Sequence, residues 1–390
     1  MPIARPVLDE REVEAVRRVV LSGWVTQGPE IKAFEEEFAA YTGAAHACAV
    51  SNCTTALHLA LMAVGVGPGD EVVTVSHSFI ATANAVRYCG AVPVFVDVEA
   101  GSFNMDPDLV EKAITPRTKA ILCVHQLGMP ADLARLVTLA RCRAIPLIED
   151  AACAIGSEIL WDGNWGKIGR PHGDVACFSF HPRKVITTGD GGMITTDDPK
   201  LDAKFRLWRQ HSMSVSDAVR HGSRQVIFES YPELGFNYRM TDLQAAIGRE
   251  QLKRLPEIVA ERRKLAALYT KHLASLSGVS TPREPRWARS NWQSYAVMLE
   301  NGIDQQSVMQ AMLDEGISTR RGIMNSHLEP AYKGSTAFRA GSALGYSEIA
   351  QNRAVILPLF PGMTENQIAI VADSFDRAIK QVRELTTQAA

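Results

Sequence analysis

Two periodicities alternate along the first half of the chain, one typical of helices and one typical of buried strands. Apolar residues recur with helical spacing in stretches such as 9–22 and 30–42, and Asp9 is the expected N-cap of the first helix. Short apolar runs, for example 47–50 and 71–75, have the composition of buried strands instead. Strands that alternate with helices in this way predict a largely parallel sheet with helices on both of its faces.

The last third of the chain follows a different pattern. A long helix is predicted over 242–273 and a strand over 291–300, with further helices beyond them. A chain of 390 residues is too long for one small core. We therefore predict an α/β protein of two parts: a large domain at 1–250, which includes an N-terminal helical segment and a mostly parallel mixed sheet, and a smaller α/β domain at 251–390.

Composition narrows the class of protein. Hydrophobic residues make up 46% of the chain and charged residues 22%, as in an ordinary soluble globular protein. The net charge of −2 provides no basic field for nucleic acid, and no apolar stretch is long enough to span a membrane or to act as a signal peptide. Seven cysteines without CxxC spacing indicate reduced thiols rather than a metal site. We expect a cytoplasmic protein that binds neither nucleic acid nor membrane.

Candidate chemistry centres on Lys184, in a turn between two apolar strands within 175–196. An amine at the mouth of a buried sheet is costly unless it is used. Asp150 follows another apolar strand and precedes small residues, which is typical of the active-site edge of an α/β sheet. Pyridoxal phosphate (PLP) chemistry uses such a pair, because the lysine forms a Schiff base and the aspartate keeps the ring nitrogen protonated.

Six motifs, in order along the chain, resemble those of the DegT/DnrJ/EryC1/StrS family. They are GWVTQGPEIKAFEEEFA, SNCTTALHLAL, SHSFIATANAVRYCGAVPVFVDVE, IEDAACAIGSE, CFSFHPRKVITTGDGGM and GFNYRMTDLQAAIGREQLKRL. The family consists of PLP-dependent aminotransferases with the aspartate-aminotransferase fold, PLP fold type I, which act mostly on nucleotide-linked keto-sugars. The resemblance covers nearly the whole chain, from Pro6 to the last helix.

The resemblance implies a role for several residues around the cofactor. Lys184 is the expected Schiff-base lysine, Asp150 the partner of the ring nitrogen, and Phe79 the aromatic side chain that stacks on the ring. Catalysis also requires the pKa of Lys184 to be depressed below its ordinary value. Dehydratases of the family carry histidine in place of this lysine. The presence of Lys184 therefore favours an aminotransferase over a dehydratase.

The phosphate group of PLP is expected at the start of the helix predicted at 56–64. The resemblance places it on the amides of Cys53 and Thr54 and beside Ser179, and helix N-termini bind anions in general. In the family, the residue at Asn237 reaches the phosphate of the neighbouring subunit, so a homodimer with shared active sites is implied.

Two cysteines depart from the family pattern. Relatives usually carry glycine at the position of Cys53, although a cysteine can preserve the amide contact. At the position of Cys153 they commonly carry glutamine or histidine, close to the phenolic oxygen of PLP. Since a thiol is a weak donor, we expect this contact to be lost, weakened or supplied by another group.

Candidate substrate residues are less well specified. Trp24 lies in a loop that approaches the active site in relatives, but it also fits a structural connector. Arg220 and Arg224, in a long polar segment with His221 at 214–233, could meet a diphosphate. The final candidates are Arg321 and His327, which could line the substrate cleft, although a structural role is favoured for both.

Together these observations predict an aminotransferase that converts a nucleotide-linked keto-sugar, by family frequency an NDP-4-keto-6-deoxyhexose, to the amino sugar with L-glutamate as donor. Ping-pong kinetics through the internal aldimine at Lys184 are expected. A 3-keto sugar nucleotide or a cyclitol ketone would leave every catalytic residue unchanged. A non-catalytic regulator with the same fold is the remaining alternative, and the Asp150/Lys184 pair argues against it.

Overall fold

The strands and helices are taken from a computed structural model, which describes residues 1–215, 220, 223–333 and 338–389, with side chains as far as 385. His221 of the predicted polar segment lies outside the described residues. The strands are β1 (His46–Val50), β2 (Glu71–Val75), β3 (Val92–Val96), β4 (Thr118–Val124), β5 (Leu147–Asp150), β6 (Glu158–Trp161), β7 (Asn164–Lys167), β8 (Val175–Ser179), β9 (Gly192–Thr196), β10 (Val279–Ser280), β11 (Ala288–Arg289), β12 (Tyr295–Leu299), β13 (Arg320–Arg321), β14 (Arg339–Ala340) and β15 (Ala354–Leu357).

The helices alternate with these strands through the first part of the chain, as predicted. They are α1 (Glu10–Ser22), α2 (Pro29–Thr42), α3 (Cys53–Ala63), α4 (Ala81–Tyr88), α5 (Pro107–Ala113), α6 (Leu133–Arg143), α7 (Pro199–Trp208), α8 (Asp242–Leu273), α9 (Gln305–Asp314), α10 (Gly345–Arg353) and α11 (Glu365–Ala389). None of the helices in the described ranges is long and apolar enough to cross a membrane.

Local sequence signals account for the helix ends. Asp9 accepts a hydrogen bond from the amide of Arg11 at 2.9 Å, and Glu12 reaches back to the amide of Asp9 at 2.8 Å, so a capping box starts α1. Gly23 ends the same helix with a φ of 77°, a left-handed conformation that suits glycine. The predicted N-cap of α1 is therefore confirmed.

The large sheet has eight strands in the order β1-β9-β8-β5-β4-β2-β3-β14. Strands β8, β5, β4, β2, β3 and β14 are parallel, and β1 and β9 join antiparallel at one edge. The expected parallel arrangement is confirmed. Because parallel strands end at the same edge, the loops after β2, β5 and β8 lie together, where α/β proteins bind their ligands.

Helices cover both faces of this sheet. Successive residues of a strand enter different hydrophobic cores: Val73 and Ile121 pack with α2, α5, α6 and α8, whereas Val72 and Leu122 pack with α3, α4 and α7. This alternation is what the pleat of a strand requires. The α/β fold class is confirmed.

The smaller part of the molecule has its own sheet and core. Strands β10, β12, β15 and β13 form an antiparallel sheet, and its core includes residues from the second half of α8, from α9 and from α11. A third sheet, β11-β6-β7, joins residues 288–289 to a hairpin that follows β5. The predicted domain boundary at 250/251 lies inside α8, which contributes to both main cores.

Candidate active site

Asp150 ends β5 at the edge of the sheet where the parallel strands terminate. Its carboxylate is buried and accepts hydrogen bonds from Thr82 Oγ1 at 2.8 Å and from the amide of Ala152 at 3.2 Å. Burial raises the pKa of Asp150 above its ordinary value, although both hydrogen bonds and the nearby Lys184 oppose this shift. A buried carboxylate held by a hydroxyl and an amide is a suitable partner for a cationic ring nitrogen.

Lys184 lies in the turn that follows β8, and its amide donates to the carbonyl of His181 at 2.8 Å. Its ammonium group donates to Cys153 Sγ at 3.0 Å. Burial lowers the pKa of Lys184, but the sulfur of Cys153, together with Cys53 and Asp150, outweighs burial and leaves that pKa above its ordinary value. Desolvation by the chain alone therefore does not lower this pKa, and linkage to PLP remains the other predicted cause of the depression.

A cradle for an anion lies at the start of α3. The helix begins three residues earlier than the sequence predicted, because Asn52 Oδ1 accepts from the amide of Thr55 at 3.0 Å and thereby caps it. Cys53 and Thr54 consequently occupy the first turn, whose amides have no intrahelical carbonyl to bond. The helix dipole favours negative charge at this point.

Gly192 allows this helix to approach the sheet. A Cβ atom on Gly192 would lie 2.5 Å from the carbonyl carbon of Asn52 and 2.8 Å from the amide nitrogen of Cys53, so only glycine fits. Ser179 pairs with Gly192 across β8 and β9, which places its hydroxyl one strand away from the cradle. The predicted phosphate residues Cys53, Thr54 and Ser179 are thus brought to one place.

Phe79 lies in the loop between β2 and α4 and is 64% exposed. Its carbonyl accepts from the amide of Thr82 at 3.1 Å, and Ser78 Oγ lies 2.7 Å from Thr82 Oγ1. Because Thr82 also holds Asp150, the aromatic ring is only one helical turn from the group that contacts the carboxylate. The sequence analysis missed Thr82, whose hydroxyl carries no motif signal of its own.

A second buried network supports the strand that carries Asp150. Glu149 faces the opposite side of β5 and accepts from His125 Nε2 at 3.0 Å and from the amide of Gly173 at 3.0 Å. His125 Nδ1 accepts from the amide of Ala131, which assigns the ring proton to Nε2. Burial raises the pKa of Glu149, but the hydrogen bond from His125 leads the effects that reverse this, and the net shift is downward.

Asn291 fastens the loop that carries Cys153. Its Nδ2 donates to the carbonyls of Cys153 and Ile155, each at 2.8 Å, and its side chain is fully buried. The neighbouring Gln293 donates to the carbonyl of Arg183 at 2.9 Å. The segment around Asn291 thus holds both the Cys153 loop and the Lys184 turn, a role that the sequence analysis did not predict.

Asn237 is exposed, and its backbone pairs with Gln210 in an isolated bridge. The backbone of the same segment contacts the residues that precede α3, because the carbonyl of Tyr238 accepts from the amide of Ser51 at 2.8 Å. The side chain of Asn237 is therefore presented at the surface beside the phosphate cradle.

The segments that carry Trp24 and His327 are held by different contacts. The loop of Trp24 is tied to α8, because Asp242 accepts from the amide of Gly28 at 2.9 Å and donates its own amide to Thr26. His327 Nδ1 lies 2.7 Å from Ser76 Oγ, at the end of β2, and its Nε2 lies 3.3 Å from Glu348.

The three candidate arginines lie on the surface. Arg321 forms an ion pair with Glu329 at 3.7 Å, and Arg220 forms one with Glu229 at 3.3 Å within the same polar segment. Arg224 is exposed in that segment. The structure does not bring these arginines together with Lys184.

Comparison with known proteins shows which family the chain belongs to. A sequence profile of the DegT/DnrJ/EryC1/StrS aminotransferase family matches residues 6–376. The chain belongs to this family. As a member of the DegT/DnrJ/EryC1/StrS family it is a PLP-dependent sugar aminotransferase.

Named relatives match over nearly their whole length. The GDP-perosamine synthase of Caulobacter vibrioides is 40% identical over 381 residues, covering 97% of this chain and 98% of that protein. The spore coat polysaccharide biosynthesis protein SpsC of Bacillus subtilis is 35% identical over 392 residues, covering 99% and 97%. DesV of S. venezuelae, solved in complex with a ketimine intermediate, superposes with a TM-score of 0.85 at 36% identity and covers 94% of each chain.

The geometry fits the family's cofactor. A buried carboxylate suits a pyridinium nitrogen, the first turn of α3 with its close glycine suits a phosphate group, and Lys184 offers an amine to the aldehyde. Gly192 is the sharpest indication, since a Cβ atom at this position would press against the anion cradle.

Proposed function

We propose that the protein transfers an amino group from L-glutamate to the keto group of a nucleotide-linked sugar, an NDP-4-keto-6-deoxyhexose. The observation that carries the catalytic part is the convergence of Asp150, Lys184 and the α3 cradle at one edge of the sheet. The name of a relative that is 40% identical, GDP-perosamine synthase, supports a nucleotide-linked sugar. The 4-keto-6-deoxy acceptor is proposed because such sugars are the most frequent acceptors in the family.

The chain's own residues divide the work in this proposal. Bound PLP supplies an aldehyde that exchanges amino groups and a ring that withdraws electrons. Asp150, oriented by Thr82, holds the ring nitrogen in its protonated form, while Cys53, Thr54 and Ser179 hold the phosphate. Phe79 covers one face of the ring, where stacking contributes about 1 kcal/mol beyond area burial.

Lys184 has two tasks. It would link the cofactor to the protein, and, once displaced by the amino donor, its Nζ would be placed to move the proton from the donor Cα to the cofactor carbon that carried the aldehyde. General acid–base help of this kind is typically worth about 10²–10⁴-fold in rate. Since donor and acceptor use the same site in turn, ping-pong kinetics are expected.

A homodimer with shared active sites belongs to the proposal. Exposed apolar side chains cluster in the segment before Asn237, where Val226 is 85%, Phe228 91% and Leu234 82% exposed. Large exposed apolar surfaces mark protein interfaces. A second copy that covers this segment would also receive Asn237 beside its phosphate cradle.

The candidate substrate-binding residues are chosen by where they lie in the fold. We include Trp24 and His327, because their loops contact α8 and the end of β2 next to the cofactor region. Arg220 and Arg224 are kept as candidates for the nucleotide diphosphate, since guanidinium groups bind phosphates bidentately, and Arg321 is kept as a candidate for the substrate cleft. Substitution of each by alanine should raise KM for the sugar nucleotide more than it lowers kcat.

The test is an absorbance spectrum of the purified protein with PLP, before and after addition of L-glutamate, beside a Lys184→Ala variant. Wild type should show the visible absorbance of lysine-linked PLP and lose it when glutamate is added. The variant should bind PLP without that absorbance and should lose at least about 10²-fold in activity. Lys184→Arg keeps the charge and serves as the matched control for folding.

Each failure has a distinct meaning. If wild type takes up no PLP, the assignment of the site is wrong. If PLP binds but glutamate leaves the spectrum unchanged, the donor is wrong. Acceptors are then screened with 4-keto and 3-keto sugar nucleotides and cyclitol ketones, and a preference for one of the latter two would overturn the proposed acceptor.

A further inference from the structure

The contact between Lys184 and Cys153 pairs an amine with a thiol at close range. The ammonium nitrogen lies 3.0 Å from the sulfur, and both residues are half-buried. A neutral thiol is a poor hydrogen-bond partner, whereas hydrogen bonds gain strength when a partner is charged. The contact with the sulfur is therefore stronger when Lys184 carries its proton than when it is a neutral amine.

Cys153 is held in place independently of Lys184. Asn291 Nδ2 donates to the carbonyls of Cys153 and Ile155 at 2.8 Å each, and its Oδ1 accepts from the amide of Gln293 at 2.8 Å. All the polar atoms of this buried side chain are thereby occupied. The backbone of Cys153 is thereby fixed, while the long side chain of Lys184 can move between the sulfur and another partner.

Other ionisable groups also face Lys184. Asp150 lies on β5, Cys53 on the first turn of α3, and His181 in the same turn as the lysine. Asp150 is the intended partner of the ring nitrogen, and Cys53 is fully buried beside the phosphate cradle. Among these groups Cys153 raises the pKa of Lys184 most, and within the described residues it is the one that hydrogen-bonds to the amine.

We propose that Cys153 is a positioning residue for Lys184: its sulfur holds the ε-amino group, with its proton, whenever that group is not linked to the cofactor. This inference rests on the proposed role of Lys184 as the cofactor-linked lysine. The amino donor releases the lysine in the first half-reaction, and the lysine is linked again only at the end of the second, so its resting place between these events matters. Relatives that carry glutamine or histidine at this position offer Lys184 a different partner.

The contact between Cys153 and Lys184 should affect the rate at which Lys184 is linked to PLP, because linkage requires the amine without its extra proton. To link with PLP, the ammonium first gives up a proton to solvent. The lone pair of the neutral amine then forms a bond to the aldehyde carbon, and the aldehyde oxygen leaves as water, so that a C=N bond remains. A sulfur that stabilises the ammonium therefore slows linkage at neutral pH and moves it to higher pH.

The experiment measures how fast the full-length protein, freed of cofactor, develops the visible absorbance of lysine-linked PLP as a function of pH. Cys153→Ala should move the inflection of this pH profile to lower pH. Each pH unit of that displacement corresponds to about tenfold faster linkage at pH 7. Cys153→Ser, which keeps a hydrogen-bonding group of similar size, should fall between the variant and wild type.

Two controls separate this effect from damage to the fold. Cys142→Ala removes the exposed cysteine of α6 and should leave the profile unchanged. Cys153→Val fills a similar volume without a hydrogen-bonding group and should move the inflection to lower pH as Cys153→Ala does. Inflections of Cys153→Ala and Cys153→Val that coincide with wild type, with normal PLP absorbance, would overturn this inference and leave the proposed function standing. Wild-type protein that never links PLP would overturn both.

Discussion

Asp150 is held by one side-chain hydroxyl and one backbone amide, and the hydroxyl matters more for its charge. Burial raises the pKa of Asp150, and the hydrogen bond from Thr82 is the largest effect that opposes burial. A carboxylate that must remain ionised to hold a protonated ring nitrogen therefore depends on Thr82, although Thr82 itself does not ionise.

Thr82→Val keeps the shape of the side chain and removes the donor. The pKa of Asp150 should then rise, so that activity on the acid side is lost at higher pH than in wild type. At pH 7 we expect kcat to fall by about tenfold, since a hydrogen bond to a charged group is worth about 1.5–3 kcal/mol. The measurement is the pH profile of kcat. Thr82→Ser retains the hydroxyl and should keep the wild-type profile, and an unmoved acid limb in the valine variant would contradict the prediction.

The sequence could predict that Lys184 and Asp150 approach each other, but it could not predict Thr82. Both predicted residues follow apolar strands, and parallel strands end at the same edge, so a local pattern has a global consequence. Thr82 lies in the first turns of an ordinary helix and contacts a residue 68 positions away. The sequence around a threonine in a helix is the same whether its hydroxyl faces solvent or a carboxylate. The same is true of Asn291, which reaches the Cys153 loop from 138 positions away.

At the scale of elements, β5 uses its two faces for different purposes. Asp150 faces the cofactor side, and Glu149 faces the core formed with α6 and α8, where His125 on the end of β4 donates to it. The amides of His172 and Gly173, from the loop before β8, bond the same carboxylate at 3.2 and 3.0 Å. One buried side chain thus joins three neighbouring strands of the sheet.

This network should make stability depend on pH. The pKa of Glu149 in the folded protein lies below its ordinary value of 4.5, so its contribution is present above about pH 4.5 and is lost as pH falls through the folded value. Glu149→Gln should lower the free energy of unfolding by about 1–3 kcal/mol at pH 7. Denaturant unfolding at pH 7 and near pH 4 measures the free energy of unfolding of wild type and of Glu149→Gln. The difference between the two proteins should be smaller at the lower pH.

A control on the surface distinguishes this network from general charge effects. Glu36 on α2 is an exposed carboxylate, so Glu36→Gln should change the free energy of unfolding by less than about 0.5 kcal/mol at either pH. If the gap between wild type and Glu149→Gln were equally large at both pH values, ionisation of Glu149 would not be the source of its stabilising effect.

Elements with strong local signals were predicted, and elements without them were not. Helix α1 has a capping box at Asp9, and β2 contains four β-branched residues in a row, so both were located within a residue or two. The hairpin of β6 and β7 was missed, because Asn164–Lys167 lacks alternating apolar residues. Strand β14 has only two residues, and its place beside β3 is set by long-range pairing alone.

For the whole molecule, the clearest prediction concerns the apolar segment before Asn237. Phe228→Asp or Leu234→Asp should weaken the proposed dimer, because a buried unpaired carboxylate is costly at an interface. Sedimentation should show the wild type as a dimer and the variants shifted towards monomer, and activity should fall with dimer content. Leu313→Asp, at an exposed leucine on α9, is the matched control and should remain dimeric. A monomeric, active wild type would contradict the shared site.

The two parts of the molecule are not consecutive pieces of chain. Leu255 and Val259 of α8 pack in the core of the large sheet, whereas Leu265 and Tyr269 of the same helix pack in the core of the small sheet. The chain also begins on the smaller part, where the carbonyl of Met1 accepts from Ser318. No single position in the sequence separates the two parts, because long-range contacts decide which part each segment belongs to.

Strand β14 has a consequence for the way the protein is made. Residues 339–340 pair with β3 and cover one edge of the large sheet, and Arg339 reaches Glu71 at 3.0 Å. A nascent chain emerges from the ribosome N-terminus first, so all the other strands of that sheet are available long before this one. Until β14 arrives, the open edge of β3 presents unpaired backbone groups to any neighbouring chain. Synthesis of the last quarter of the protein therefore also closes the part that was made first.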